Sequence, residues 1–332
     1  MDKTEYQIND YLEHCNVKGL STKTIKSYDG TLRLFAAFLS REYDIFDFKA
    51  VNKNIIKHYV KFSTEKGKYT MVIDERRKSA NNPERRKDYN DSVSPVTVNN
   101  YIRNLKAFFS YLVEIGEIKK SPMDGVGYLK QVRVDKNFIS DEDYAKLIKN
   151  FDQKLFSEKR DYVITNLLMD TGMRVGECLM IDVKSIDFHE RTIFLPAYNT
   201  KGKKDRYVFF SGDMAVILKE WVRYKDIYYE SDYLFVTTKG NPVSIGGFES
   251  NFKKYCDRIG LEGITPHTLR NNFGRRFLMA GGDIFTLSRI LGHSSVRVTE
   301  KAYAELRVGD LKQKYQEFSP LTNMKKNSRL KL

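Results

Sequence analysis

Tyr303 closes the run "LGHSSVRVTEKAY", which also holds His293. A tyrosine at helical spacing is usually packing, and only the chemistry around it can make it reactive. Candidate neighbours occur in order through the second half of the chain. "TGMRVGE" sets Arg174 at a turn that opens a helix, with Glu177 behind it. "TKGKKDR" puts lysines at the tip of a β-hairpin, and "TPHTLRNNFGRRF" sets His267 and Arg270 one turn apart on one helix face.

Taken together these are cationic forks, imidazoles, an amine and a hydroxyl, without a carboxylate cluster or metal-ligand spacing. Arginine forks match phosphate oxygens in a bidentate way and stay charged. The set suits phosphoryl transfer at a phosphodiester, with side-chain cations meeting the charge that a metal would otherwise meet. No G-x-x-x-x-G-K-[ST] loop occurs, so ATP is not implied and no cofactor is expected. Full ionisation of a tyrosine with a pKa of ~10 would cost roughly 4 kcal/mol at neutral pH. Adjacent cations lower that cost, and attack concerted with proton loss avoids most of it. A lysine can protonate the departing sugar oxygen. The phosphotyrosyl ester stores about the energy of the diester it replaces, so rejoining needs no added energy source.

Positioning these groups requires more than one core, and a chain of 332 residues predicts two domains. Lys and Arg exceed Asp and Glu by 57 to 43, a formal charge of +14, which points to nucleic acid before an acidic membrane surface. Cys15, Cys178 and Cys256 are scattered, with no CxxC pair, so neither a zinc site nor a disulfide framework is indicated. The start "MDKTEYQINDYLEH" is polar, and no apolar run approaches the ~18 residues that span a bilayer. A cytoplasmic protein without membrane attachment is expected, nucleoid-associated when on DNA.

The first domain is expected over residues 1–125 as a helical bundle. In "STKTIKSYDGTLRLFAAFLSREY" apolar residues recur at spacings of three and four, after Ser21 and Thr22 as candidate N-caps. "SPVTVNNYIRNLKAFFSYLVEIGEI" echoes it: Ser21, Thr24, Ile25, Tyr28, Leu32 and Phe35 match Ser94, Thr97, Val98, Tyr101, Leu105 and Phe108 at one constant offset. Two copies fit a bundle and not a solenoid. Each helix start could meet phosphate, and DNA contacts are expected from Thr24, Lys26, Thr97, Asn99, Asn100 and Arg103. The aperiodic, charged stretch at about 65–93 reads as a mobile insertion.

Residues 126–139, within "GVGYLKQVRVDKNFIS", read as a linker. A second domain over 140–320 opens with helices. "SIDFHERTIFLPAYNTKGKKDRYVFFSG" then supplies three short strands of a small antiparallel sheet. Helices resume near Met214, with Trp221 at core spacing. Thr265 with Pro266, and Asp283 with Gly292, bound the next two helices, and Ser294 or Ser295 starts the one carrying Tyr303. Leu311, Tyr315 and Phe318 predict a further amphipathic helix before a basic tail at 321–332.

The order "TGMRVGE", hairpin lysine, "HTLR", "LGH", tyrosine resembles the tyrosine recombinases, the phage-integrase class of DNA strand-exchange enzymes, over nearly the whole chain. The resemblance implies a mainly α fold with a small antiparallel β-sheet in the catalytic domain. It also implies a two-domain DNA clamp whose helical half is a SAM-like core-binding bundle. It implies site-specific recombination through a 3′-phosphotyrosyl intermediate, of integrase/excisionase or resolvase type, without metal or ATP. Arg174 and Arg270 would clamp the scissile phosphate, His267 would assist proton transfer or hold it, and His293 would donate to it. Lys201 would be the general acid, Tyr303 the nucleophile, and Glu177 an orienting acid. The expected partners are a double-stranded recombination site, a homotetramer on paired sites, and DNA-bending or directionality factors.

Two features depart from the family pattern. Ten residues separate His293 from Tyr303 where nine is common, and Lys203 and Lys204 lie beside Lys201 in the hairpin. A type IB topoisomerase shares the chemistry but rotates DNA about one nick, and strand exchange between two duplexes separates the two. A non-catalytic descendant would have lost one of these residues, and all are present.

Overall fold

The computed structural model describes residues 3–65, 69–71, 82–131, 137–200, 202, 204–303, 315–316 and 319, with side chains only to Glu300 in the last helix. The chain divides into two compact units, residues 1–133 and 134–332. Residues 66–68 and 72–81 of the expected insertion, the hairpin lysines Lys201 and Lys203, and Leu311 and Phe318 lie outside the described residues, as does the basic tail.

In the first unit the helices are α1 (Lys3–Val17), α2 (Thr22–Tyr43), α3 (Lys53–Glu65) and α4 (Pro95–Glu114). The sequence repeat is built as two identically capped helices. Ser21 and Ser94 hold φ/ψ of −63°/145° and −59°/145°, and each hydroxyl accepts the N–H of the threonine three residues on. The helices meet at equivalent positions, where Asn104 Nδ2 donates to Thr31 Oγ1 at 2.8 Å and to the Ser27 carbonyl at 3.1 Å. Around that contact the core is aromatic: Phe35 packs on Tyr59 at 4.7 Å between ring centroids, and Phe48 meets Phe108 edge-on at 4.8 Å.

Residues 126–131 do not behave as a linker. Val126 is buried, and Asn99 donates to the Leu129 carbonyl (2.9 Å) while accepting its N–H (2.7 Å). Asn99 is 3% exposed, which corrects its expected role on DNA: helix periodicity turns it inward, and a buried amide must bond to the chain.

The second unit carries α5 (Asp141–Lys149), α6 (Phe156–Thr171), α7 (Val175–Leu179), a three-stranded sheet, α8 (Gly212–Tyr228), α9 (Ile245–Arg258), α10 (Pro266–Met279), α11 (Ile284–Leu291) and α12 (Val296–Tyr303). The strands β1 (Ile186–Asp187), β2 (Thr192–Leu195) and β3 (Arg206–Phe209) pair antiparallel in sequence order. The register sets Leu195 opposite Arg206 and Ile193 opposite Val208. Opposed residues share a face, so Arg206 points to the same side as buried Ile193, Leu195 and Val208. Trp221 is fully buried, and its Nε1 donates to the Leu234 carbonyl at 2.8 Å.

A buried ion pair ties α6 to α9. Arg160 bonds Asp161 at 2.7 Å and the Val236 carbonyl at 3.0 Å, and Asp161 accepts from Tyr255 at 2.8 Å. Asp161→Asn preserves the shape but leaves Arg160 without a counter-charge, a cost of about 3–5 kcal/mol. Denaturant unfolding should show that loss, and an unchanged midpoint would mean that Asp161 is not the charge that Arg160 needs.

Candidate active site

The site forms where helix C-termini converge on Arg270. Helix α6 ends at Gly172 (φ 63°) and α11 at Gly292 (φ 62°), both in the left-handed conformation that glycine adopts without strain. Each glycine is also needed for space. A Cβ at Gly172 would stand 2.3 Å from the Phe273 ring, and one at Gly292 would stand 2.7 Å from Arg206 Nε.

Arg270 leaves the second turn of α10, whose start is fixed by a reciprocal cap between Thr265 and Thr268. Its Nη1 donates to the Gly172 carbonyl (2.6 Å) and its Nη2 to the Leu291 carbonyl (2.8 Å). A buried cation thus meets the negative ends of two helix dipoles. Nη2 also lies 3.0 Å from His293 Nε2, and His293 Nδ1 lies 2.7 Å from Thr299 Oγ1. A guanidinium can only donate, so in that contact Nε2 is the acceptor and Nδ1 carries the proton toward Thr299. To donate from Nε2, His293 must take a second proton or turn that nitrogen away from Arg270.

Arg174 caps α7, and Glu177 three residues on binds it twice: Oε2 accepts the Arg174 N–H at 2.9 Å, and Oε1 accepts Nη1 at 2.8 Å. Arg174 Nη2 reaches the Gly292 carbonyl at 3.4 Å. A third arginine, not anticipated from the sequence, completes the group. Arg206 Nη2 donates to Glu177 Oε2 at 2.5 Å and its Nη1 to the Ile290 carbonyl at 2.7 Å. The signal for it was available, because an arginine at an inward position of a strand must find partners. Side-chain exposure separates the roles: Glu177 2%, Arg206 12% and Arg174 29%, so Arg174 is the member open to a ligand.

Burial alone would raise the Glu177 carboxyl. The charges of Arg206 and Arg174 and the Arg174 N–H outweigh it and hold the group below the usual carboxylate range.

The structure therefore brings Arg174, Glu177, Arg270 and His293 together. His267 is exposed on the first turn of α10 and lines a cavity of about 560 Å³ with Phe252, Cys256 and Pro266. The backbone of Tyr303 is the last residue of α12. The hairpin is clipped just below its tip, where Thr200 Oγ1 accepts the Lys204 N–H at 3.1 Å and donates to the Lys204 carbonyl at 2.9 Å. Lys26 near the start of α2 and Arg103 eight residues into α4 are exposed, and Arg103 donates to Asn100 at 2.6 Å. Thr24 and Thr97 are half-buried with their hydroxyls beside the capping serines. Among the described residues no group of His, Cys, Asp and Glu could hold a metal ion, and no helix is long and apolar enough to cross a membrane.

A carboxyl held below its unfolded value adds stability that is present above that value and lost as pH falls through the folded one. The stability gap between the natural protein and Glu177→Gln should therefore be constant from about pH 6 to 8 and shrink below about pH 4.3. Denaturant titration across that range checks it, and a gap unchanged at pH 3.5 would show that the fold does not hold Glu177 ionised.

Comparison with known proteins agrees with this geometry. Residues 137–309 match the phage integrase family, and residues 6–134 match the phage integrase SAM-like domain. Tyrosine recombinase XerD of Listeria innocua is 27% identical over 94% of this chain and 98% of its own length. Tyrosine recombinase XerC of Haemophilus influenzae is 30% identical over 67% of this chain and 74% of its own. Among solved structures, the Tn1549 transposon integrase in complex with a circular intermediate DNA superposes with a TM-score of 0.69, at 16% identity, over 96% of this chain and all of that one. XerH recombinase bound to its difH substrate gives 0.62 at 19% identity, over 91% of this chain and 81% of that one. With both halves matched and the arginine-rich site in place, the chain belongs to the phage integrase family of tyrosine recombinases.

Proposed function

We propose that this protein breaks and rejoins DNA at specific sites, with Tyr303 as the nucleophile and a 3′-phosphotyrosyl ester as the intermediate. The observation that carries the reading is the convergence of Arg174, Arg270 and His293 at helix ends that Arg270 itself ties together. Arg174, the open member, meets the scissile phosphate first. Arg270 adds charge-assisted donors from the same wall, and the ring of His293 supplies a further donor once Nε2 is protonated or released. Their positive charge stabilises the transition state and lowers the cost of ionising Tyr303. Lys201 protonates the departing sugar oxygen, and His267 assists proton transfer or holds the phosphate. Rejoining reverses the steps with a strand from the second duplex, which makes the reaction an exchange of integrase/excisionase or resolvase type.

The first unit adds the start of α2 with Thr24 and Lys26, and the N-terminal half of α4 with Thr97, Asn100 and Arg103, as phosphate-binding surfaces. Both units work on one duplex, and four protomers hold two sites. DNA-bending or directionality factors act on that assembly, in the cytoplasm.

Covalent capture tests the reaction. Incubated with a pool of duplexes randomised over a central stretch, the protein should retain a sequence-restricted set as denaturation-resistant adducts, with EDTA present. Tyr303→Phe should retain none while binding the captured duplex within a few-fold of the natural protein. An adduct formed by the Phe variant would refute the assignment, and an absolute Mg²⁺ requirement would contradict the site. Arg174→Ala should slow adduct formation about 100- to 1,000-fold, the loss expected for one donor at a developing charge.

Affinity for the captured duplex should fall linearly in log–log terms with salt. Six to ten phosphate contacts would cost about 10³–10⁵ in affinity between 50 and 200 mM. A nearly flat response in a filter-binding titration would argue against contacts from both units.

A further inference from the structure

We propose that Arg206 is a positioning residue of the strand-cleavage site: it restores the positive charge that Glu177 would otherwise cancel on Arg174. The proposal rests on the phosphate-binding reading above. Arg174 and Glu177 alone form a neutral pair, two hydrogen bonds deep. A neutral pair holds its side chains well but attracts a phosphodiester poorly. Arg206 bonds Glu177 Oε2, the oxygen that the Arg174 guanidinium does not use, so two cations and one anion leave the group at a net +1. The carboxylate then serves as a rigid joint between the guanidiniums, and Arg174 keeps its charge for the ligand.

The strand register makes this placement obligatory. Arg206 faces Leu195 across the sheet and shares the inner face with Ile193 and Val208, where aliphatic residues would otherwise pack. Its Nε is buried and has no hydrogen-bond partner among the described residues, an arrangement that costs stability. A residue chosen for stability alone would be apolar here. The Cβ-free Gly292 leaves the space for that Nε, and the Arg206 bond to the Ile290 carbonyl fixes the chain just before His293. One side chain therefore registers β3, the end of α11 and the Arg174 pair against each other.

The test is charge balance, read as the rate of adduct formation on the duplex that the natural protein captures from the randomised pool. R206Q should slow the rate about 100-fold. R206K, which keeps the charge without the fork, should lose about 10-fold or less. E177Q/R206Q returns the group to a net +1 through Arg174 alone and should recover at least about 10-fold over R206Q. A double variant no faster than R206Q overturns the proposal, because a merely structural defect would grow with the second change. So does R206K falling as far as R206Q. Should R206Q not fold, E177Q/R206Q is compared with R206K, and a double variant more than about 100-fold slower overturns the proposal. If the natural protein forms no adduct at all, the recombinase reading fails first, which separates the two failures.

Discussion

The structure of the catalytic unit depends on one guanidinium. Arg270 joins the last carbonyls of α6 and α11, two helices far apart in sequence, and touches His293 with the same nitrogen that holds Leu291. Removing that fork would leave two helix ends with unsatisfied carbonyls in a buried setting, a penalty that backbone groups rarely bear. The residue proposed to hold the phosphate is therefore also the residue that ties the proposed site together. A loss of activity on substituting Arg270 would mix two effects, whereas Arg174, at the open edge, would report the proposed chemistry more directly.

Much of this was legible before any coordinates. Helix periodicity, the caps at Ser21, Thr265 and Asp283, and the terminating Gly292 are local signals, and local physics decides them. The three strands and the pairing of the hairpin followed from the turn-rich stretch between them. Two things were not legible. Asn99 looked like a surface amide because the polar start of a helix invites that reading, yet its partner lies thirty residues on, in a segment without periodicity. Arg206 looked like one more basic residue beside a lysine cluster, because the sheet register that turns it inward depends on β2 and the length of the hairpin.

The site also shows how a protein can place several like charges side by side. Arg174, Arg206 and Arg270 sit around one described carboxylate and a set of carbonyls at helix C-termini. The carbonyls supply partial negative charge in small, fixed amounts, so the cations are solvated by the fold without being neutralised by it. A full carboxylate for every arginine would have given a more conventional salt-bridge network and a weaker anion site.

The contact between Thr31 and Asn104 has a separate consequence for how the first unit can change over time. Each residue lies nine positions into its helix, Thr22 to Thr31 and Pro95 to Asn104, so the two helix starts stand at equal arms of roughly 13.5 Å from a shared pivot. Their separation is set at that crossing and by the packing around it, not by the thirty or so residues that connect α3 to α4. Lengthening such a connection costs little closure entropy, about 0.6 kcal/mol per doubling. The connecting stretch can accordingly lengthen, shorten or exchange its sequence among descendants of this chain while the spacing of the two helix starts stays constant.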